Sequence, residues 1–365
     1  MRTRRDLVVI GGGPGGLVVA SVASQLGLKV TLVEKSERLG GDCLHSGCVP
    51  SKTLIRTARV AHLMRTASRY GLPDCEPAVD MGAVMDRVSS VIADIQVHDD
   101  PERFRGYGCD VVFGAARFTG PDEIQVGDEL VRGRRFVIAT GSRPVIPPIP
   151  GLDEAGYETS ETLFHRRDLP GHLAVIGGGP IGLELAQAFA RLGSRISIVE
   201  QADQLLPAAD ADIAGCLAKV LAAEGLALHT GTQVTAARRD GDSRQLQLDD
   251  GNTIECDRIL VAPGRQPVLH DLGLDVAGVG FERGGITVDR RLRTTERHIF
   301  AIGDVCGPYP FTHMAEYQAG VVLANVLFRL PRKTDYRVVP VVTYTDPEVA
   351  QVGLTENTAR AQGIH

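Results

Sequence analysis

VVIGGGPGGLVVASVASQLGLKVTLVEK (Val8–Lys35) returns 166 residues later, without a gap, as AVIGGGPIGLELAQAFARLGSRISIVEQ (Ala174–Gln201). The alignment sets Gly11 over Gly177, Gly13 over Gly179, Gly16 over Gly182, Gly27 over Gly193 and Glu34 over Glu200. Each copy opens on a β-branched apolar run, crosses a Gly-rich turn, continues with apolar residues at helical spacing, and closes on a second apolar run that ends in an acid. This is the order strand, turn, helix, strand. In a G-x-G-x-x-G turn the first glycine permits the tight bend and the second lets backbone approach a pyrophosphate. The third allows close helix-to-strand packing, while the helix N-terminus attracts phosphate charge. Glu34 and Glu200 are then placed to accept from the hydroxyls of an adenosine ribose. The expected fold class is α/β with two Rossmann-like dinucleotide-binding domains, and two such sites in one chain imply electron transfer between two cofactors.

The rest of the chain arranges itself around the two copies. Ile124–Val126 and Arg135–Ile138 read as short strands, and ATGSRPVIPPIPG (Ala139–Gly151) is a Gly/Pro-rich exit from the first domain. The second domain runs to APGRQP (Ala262–Pro267). HIFAIGDVC (His298–Cys306) is a further buried strand ending in a Gly-Asp turn, followed by a helical stretch from Thr312 to Arg329. The expected division is a discontinuous first domain, 1–150 and 268–336, with 151–267 inserted as the second and 337–365 opening a third.

A chain of 365 residues with 43% hydrophobic and 23% charged residues exceeds one comfortable core. Its net charge of -6 offers no excess of cations for phosphate neutralisation, which argues against a nucleic-acid partner. After Arg4-Arg5 only Leu7–Ile10 are apolar before the glycines, too few for a signal-peptide core, and a strand entering a Gly-rich turn explains them better than a twin-arginine signal. No run reaches the ~18 apolar residues of a membrane span. Seven cysteines with no signal peptide suit a reducing cytoplasm, in which a close pair points to catalysis.

That pair is Cys43 and Cys48, in GGDCLHSGCVPSK (Gly40–Lys52). A C-x4-C loop entering a helix can close a small disulfide ring, and its second thiol falls near the helix N-terminus, where the dipole favours thiolate. Cys75, Cys109, Cys216, Cys256 and Cys306 are scattered singly, which gives zinc no cluster of ligands. They are expected to be buried small hydrophobes or inert thiols.

GGDCLHSGCVPSK, the ATGSRP run, AIGDV and the doubled Gly-rich turn together resemble the class I pyridine nucleotide-disulfide oxidoreductases, the family of glutathione reductase, dihydrolipoamide dehydrogenase and mercuric reductase. The resemblance covers nearly the whole chain. It implies FAD at the first turn (Gly11, Gly13, Gly16, Glu34) and NAD(P)H at the second (Gly177, Gly179, Gly182, Glu200, with Gly264). It makes Cys48 the charge-transfer thiol against the flavin and Cys43 the outward interchange thiol. Lys52 corresponds to the family lysine beside flavin N5, and Glu184 to its glutamate partner, completing the expected reactive set of Cys43, Cys48, Lys52 and Glu184. The repeat supports that pairing, because Val18 occupies the position of Glu184 in the first copy and a carboxylate in the first helical turn needs a reason. Asp304 and Gly303 are assigned to the FAD ribityl chain and Gly114, Ala115 and Ala116 to the adenine side. Gly41, Asp42, Thr140, Gly141 and the backbone of His313, Met314 and Ala315 also line the FAD site. Asp42 stands where many relatives carry threonine.

The implied electron path runs from nicotinamide to flavin, to the Cys43–Cys48 disulfide, and on to a small-molecule or protein disulfide or dithiol, or to Hg(II). Glu200 repels a 2′-phosphate and Gln201-Ala202-Asp203 provides no arginine for one, so NADH is expected over NADPH. Relatives carry a His-Pro-x-x-x-x-Glu motif in a following interface domain. Here the chain enters that domain at VVPVVTYTDPEVAQVGLTENTARAQGIH (Val338–His365). The expectation is either a truncated form or a natural product that dispenses with that domain, with flavin reduction surviving better than disulfide turnover; a full-length form is expected to be a homodimer and this chain a monomer. The competing expectation is a redox-sensing flavoprotein with little turnover.

Overall fold

The computed structural model describes residues 4–364; residues 1–3 and 365, which the expected first and last domains include, lie outside the described residues. The chain divides into two compact units. The first unit comprises 1–45, 93–143 and 265–335, and the second 46–92, 144–264 and 336–365.

The first unit is built on a five-stranded sheet in the spatial order Ile299–Ala301, Phe136–Ile138, Leu7–Ile10, Val30–Glu34, Cys109–Phe113. Every neighbouring pair is parallel, with Leu7 opposite Val30 and Val8 opposite Phe136. Leu7–Ile10 and Val30–Glu34 are buried along their whole length, which explains why they read as continuous apolar runs and not as alternating patterns. Helix Pro14–Gln25 starts on a proline, whose missing N–H costs nothing at a helix N-terminus, and packs Leu17, Val19, Ala20 and Ala23 into the core. An antiparallel meander, Ala116–Gly120, Glu123–Val126 and Glu129–Arg132, fills the connection between the strands Cys109–Phe113 and Phe136–Ile138.

The second unit repeats this plan beyond the 28 aligned residues. Its parallel sheet has the order Ala227–Thr230, Arg195–Glu200, His172–Ile176, Arg258–Val261. A meander of Val234–Asp240, Ser243–Leu248 and Thr253–Cys256 again fills the connection before the returning strand. The chain therefore holds two Rossmann-like domains, the second inserted into the first, as its motifs require.

The copies part at the crossover after the second strand. The second copy spends it on one helix, Ala211–Ala223, whereas the first holds the cysteine loop and the helices Cys48–Arg65, Met81–Gln96 and Pro101–Gly106. Leu54, Ala58 and Ala61 share a core with Leu183, Ala186 and Phe189 of helix Pro180–Leu192. For that reason 46–92 groups with the second unit, a difference from the expected division at 151. The helix expected from Thr312 to Arg329 stops at Val326; Arg329 has φ 53°, outside helical space, and Pro331 follows.

Candidate functional site

Both Gly-rich turns are closed by the same contacts. A Cβ on Gly16 would stand 1.9 Å from the Gly11 carbonyl oxygen, and one on Gly182 would stand 2.1 Å from that of Gly177. Gly11 and Gly177 adopt φ of 111° and 114°, and side chains there would meet the carbonyl oxygens of Ala139 and Ala262. Gly13 and Gly179 cap their helices without any side-chain hydrogen bond, and the space over Gly179 is open. The first-turn N–H groups thus lack side-chain acceptors at the positive end of a 12- or 13-residue helix, which is how a protein cradles a diphosphate.

The acids at the strand ends serve these turns directly. Glu34 accepts the N–H of Gly12 at 2.6 Å and that of Ser36 at 2.8 Å. Glu200 accepts the N–H of Gly178 at 2.7 Å and that of Ala202 at 2.8 Å. Each carboxylate oxygen retains a second lone pair, so these bonds leave room for the expected ribose contacts. The donor set therefore fits a dinucleotide at both turns.

Around the first turn, Gly41 (φ 59°) approaches so closely that its Cβ would stand 2.6 Å from Gly13 Cα. The amide of Gly114 bonds the carbonyl of Glu34 at 2.8 Å, and Ala115 leads into the strand that starts at Ala116. Thr140 Oγ1 donates to the Val268 carbonyl, and the Gly141 carbonyl accepts from Val268 N–H. Gly303 (φ 75°) donates its N–H to Gln318 Oε1 at 2.6 Å. Asp304 accepts from Ser142 Oγ at 2.5 Å, and Arg265 bonds that same oxygen through Nε at 2.8 Å. Burial pushes the Asp304 carboxyl above its ordinary range, and Asp42 adds to this, against the opposing pull of Ser142 and Arg265. Asp42 itself is paired with Arg265 at 2.8 Å. His313 is stacked on Phe311 with ring centroids 5.4 Å apart, and the N–H groups of Met314 and Ala315 bond the Phe311 carbonyl. Gly264 takes φ 152° in open space.

Cys43 is half-buried in the short helix Gly41–His45 of the first unit, and Cys48 is exposed as the first residue of the 18-residue helix Cys48–Arg65 in the second. One turn further along, Lys52 Nζ donates to Glu184 Oε2 at 2.6 Å. Glu184 is the fifth residue of helix Pro180–Leu192, a full turn inside it, so the first-turn placement read from the sequence is corrected and the helix dipole does not account for the residue. Glu184 is 6% exposed, and an isolated carboxylate there would be costly; the lysine compensates it.

The other cysteines need a partial correction. Cys109 and Cys256 are buried, and burial raises both thiols, Cys256 to about 11, which keeps them protonated. Cys306 is half-buried with its thiol pushed up in the same way. Cys75 and Cys216 are exposed, Cys75 in a solvent-facing stretch and Cys216 on the helix Ala211–Ala223 away from its buried Ala214, Leu217 and Leu221. No group of three or more His, Cys, Asp or Glu side chains placed to hold a metal ion occurs among the described residues, and no helix among them is long and apolar enough to cross a membrane.

Comparison with known proteins agrees with this geometry. The profile of the pyridine nucleotide-disulphide oxidoreductase family matches residues 5–319, and that of the family's dimerisation domain matches 339–365. This chain belongs to the pyridine nucleotide-disulphide oxidoreductase family.

Among family members, a mercuric reductase of Streptomyces lividans is 37% identical over 99% of this chain and 78% of its own length. A dihydrolipoyl dehydrogenase of Thermus scotoductus is 39% identical with the same coverage. A mercuric reductase of Bacillus cereus is 34% identical over 98% of this chain, which spans only 57% of that relative. The solved copper(II) complex of RclA, an HOCl-induced flavoprotein disulfide reductase of Escherichia coli, superposes with a TM-score of 0.88 at 32% identity, covering 98% of this chain and 79% of that one.

Three residues of the site escaped the sequence reading. Arg265 lies inside APGRQP beside the expected Gly264, and an arginine next to a turn glycine was the available signal. Ser142, in the ATGSRP run, carried no signal that it would join Asp304 to Arg265. Tyr344, whose ring lies over Lys52, gives no sign of itself in a segment read only as the start of a domain.

Proposed function

We propose that this chain is an FAD-dependent, nicotinamide-linked oxidoreductase whose reactive pair is Cys43 and Cys48. The carrying observation is the doubled turn: Glu34 and Glu200 hold two Gly-rich loops by the same pair of backbone bonds in one chain. FAD, when bound, supplies a two-electron centre between nicotinamide and the cysteine pair. The residues that hold it are those of the first turn, with Gly41, Thr140, Gly141 and Asp304. Those that hold the nicotinamide dinucleotide are Gly177, Gly179, Gly182 and Glu200, with Gly264.

The chain's own contributions follow from its contacts. Lys52 presents an ammonium group at the flavin position that its family assigns it, and Glu184 keeps that charge in place by accepting one of its three N–H bonds. Cys48, at the start of a long helix, gains from the dipole as a thiolate, while Cys43 exchanges with substrate. The substrate class is a disulfide, a dithiol or a soft metal ion; the mercuric reductases among the relatives support the last, because two thiolates suit soft cations. NADH is preferred over NADPH, since Glu200 faces a 2′-phosphate with like charge. The segment matching the dimerisation domain supports a homodimer.

Anaerobic titration of the FAD-loaded protein with NADH tests this reading. Bleaching of the flavin band with growth of a long-wavelength charge-transfer band is expected, and Cys48→Ser should abolish the new band with FAD retained. If neither change appears in the unsubstituted protein, the proposal fails.

A further inference from the structure

The aromatic ring of Tyr344 lies over Lys52, with Nζ 4.5 Å from its centroid. The same nitrogen donates to Glu184 Oε2 at 2.6 Å, and Glu184 uses its other oxygen to accept the backbone N–H of Tyr344 at 2.8 Å. One buried carboxylate therefore fixes both the lysine and the backbone of the residue that covers it.

The segment carrying Tyr344 has anchors that do not involve the ring. Asp346 donates its backbone N–H to Gln187 Oε1 at 2.8 Å, Gln187 Nε2 donates to the Asp346 carbonyl at 2.9 Å, and Arg191 Nη1 donates to Asp346 Oδ2 at 2.9 Å. Glu184, Gln187 and Arg191 follow one another at i, i+3 and i+7 on helix Pro180–Leu192, so one polar stripe on an otherwise apolar helix receives the whole segment. The ring is an addition to that docking and not its cause. Lys52, Tyr344, Glu184, Arg56, Arg59 and Asp346 border a common cavity of about 160 Å³.

We propose that Tyr344 is a positioning residue for Lys52. An ammonium group has three donors on a flexible four-carbon stem. The carboxylate takes one N–H bond and the π face attracts the charge from another side, which removes most of the freedom of the stem and directs the remaining N–H bonds away from both. The segment that matches the family's dimerisation domain thereby completes the Lys52 site from within the same unit. The inference rests on the reading of Lys52 as a flavin-facing cation.

The chain has five lysines, at 29, 35, 52, 219 and 333, so lysine-selective ¹³Cε labelling of the FAD-loaded protein gives a spectrum in which Lys52→Arg identifies one resonance. The Lys52 ε-proton signal is expected upfield of the other four through the ring current, to remain there in Tyr344→Phe, and to move to the common position in Tyr344→Met, which keeps bulk without a π face. In a rapid-mixing experiment with NADH, Tyr344→Met should reduce its flavin about 3- to 10-fold more slowly at unchanged NADH affinity, with Tyr344→Phe near the unsubstituted rate. Amide exchange across 340–352 should be the same in all three proteins, showing the segment docked. The proposal is overturned if the ring-current shift is absent, or if Tyr344→Met loses the shift yet reduces flavin at the original rate. It is also overturned if exchange rises in Tyr344→Met, since the ring would then be a docking element. Lys52→Met separates the two readings: if it leaves flavin reduction unchanged, the role given to Lys52 fails; if it slows reduction while Tyr344→Met does not, only the role of Tyr344 fails.

Discussion

Arg265 Nη2 stands 2.8 Å from Asp42 Oδ2, and the same guanidinium reaches Ser142 through Nε and Nη2. The pair explains how a carboxylate at position 42 is accommodated near Asp304: Asp42 raises the Asp304 carboxyl, and Arg265 works against it. The short helix Gly41–His45 is thus tied to the strand Arg265–Pro267.

Arg265→Gln should therefore lower the stability of the cofactor-free protein by about 1–3 kcal/mol, because it removes the cation that pairs with Asp42 and lowers the Asp304 carboxyl. Denaturant unfolding of Arg265→Gln, Asp42→Asn and the double variant should give a coupling of about 1 kcal/mol. A coupling of zero would mean that solvent already screens the pair.

Asp304 carries a sign that can be checked. Its carboxyl is raised above the ordinary 3.8 by burial, so the native state holds the proton to higher pH than the unfolded chain. The stability contribution is complete below the unfolded value and is lost as pH rises through the native one, leaving an ionised, costly Asp304 at neutral pH. Asp304→Asn should raise the melting temperature of the apoprotein at pH 7 by about 2–5 °C and weaken FAD binding. Calorimetry and flavin fluorescence measure the two effects.

Gly16→Ala and Gly182→Ala should act on different cofactors. Each adds a methyl group about 2 Å from a carbonyl oxygen that cannot withdraw, at a cost of about 2–4 kcal/mol. Gly16→Ala is expected to lose FAD while nicotinamide binding persists, and Gly182→Ala the reverse. Equal losses at both sites in both variants would show that the turns do not act separately.

Arg191 is 7% exposed between Glu224 and Asp346. Arg191→Met should cost about 3 kcal/mol by leaving Glu224 without its cation and Asp346 with only the longer Arg59 pair. Burial works against ionisation of Asp346, but the hydrogen bond and charge of Arg191, with Arg59 and His62, outweigh it and lower the carboxyl below 3.8. Its stabilising effect is present above that value and fades as pH falls through the native one. Protection of the 340–352 amides, corrected for their intrinsic exchange rates, should fall as pH drops through the native Asp346 value, and Asp346→Asn should remove that acid step.

The first and second strands of both copies, their helices and their turns were legible because a buried parallel strand needs an unbroken apolar run and a diphosphate turn needs glycine at fixed steps; both demands act between near neighbours in the chain. The same holds for Cys43 and Cys48, whose loop is only six residues long. Glu184 was legible through the repeat, since it breaks an apolar match with Val18, and its partner came through family resemblance. The helix Cys48–Arg65 follows the cysteine loop of the first copy, yet its own apolar face does not reveal that the core it joins is that of Leu183 and Phe189.

What the sequence by itself determined is the doubled fold, the two turns with their acids and the place of the cysteine pair, all set by local spacing and by backbone sterics. Only the tertiary structure decided that Arg265 compensates Asp42 and that Tyr344 covers Lys52. Those contacts join residues more than 200 positions apart in the chain, and no periodicity records them, because a charge or a ring finds its partner through packing.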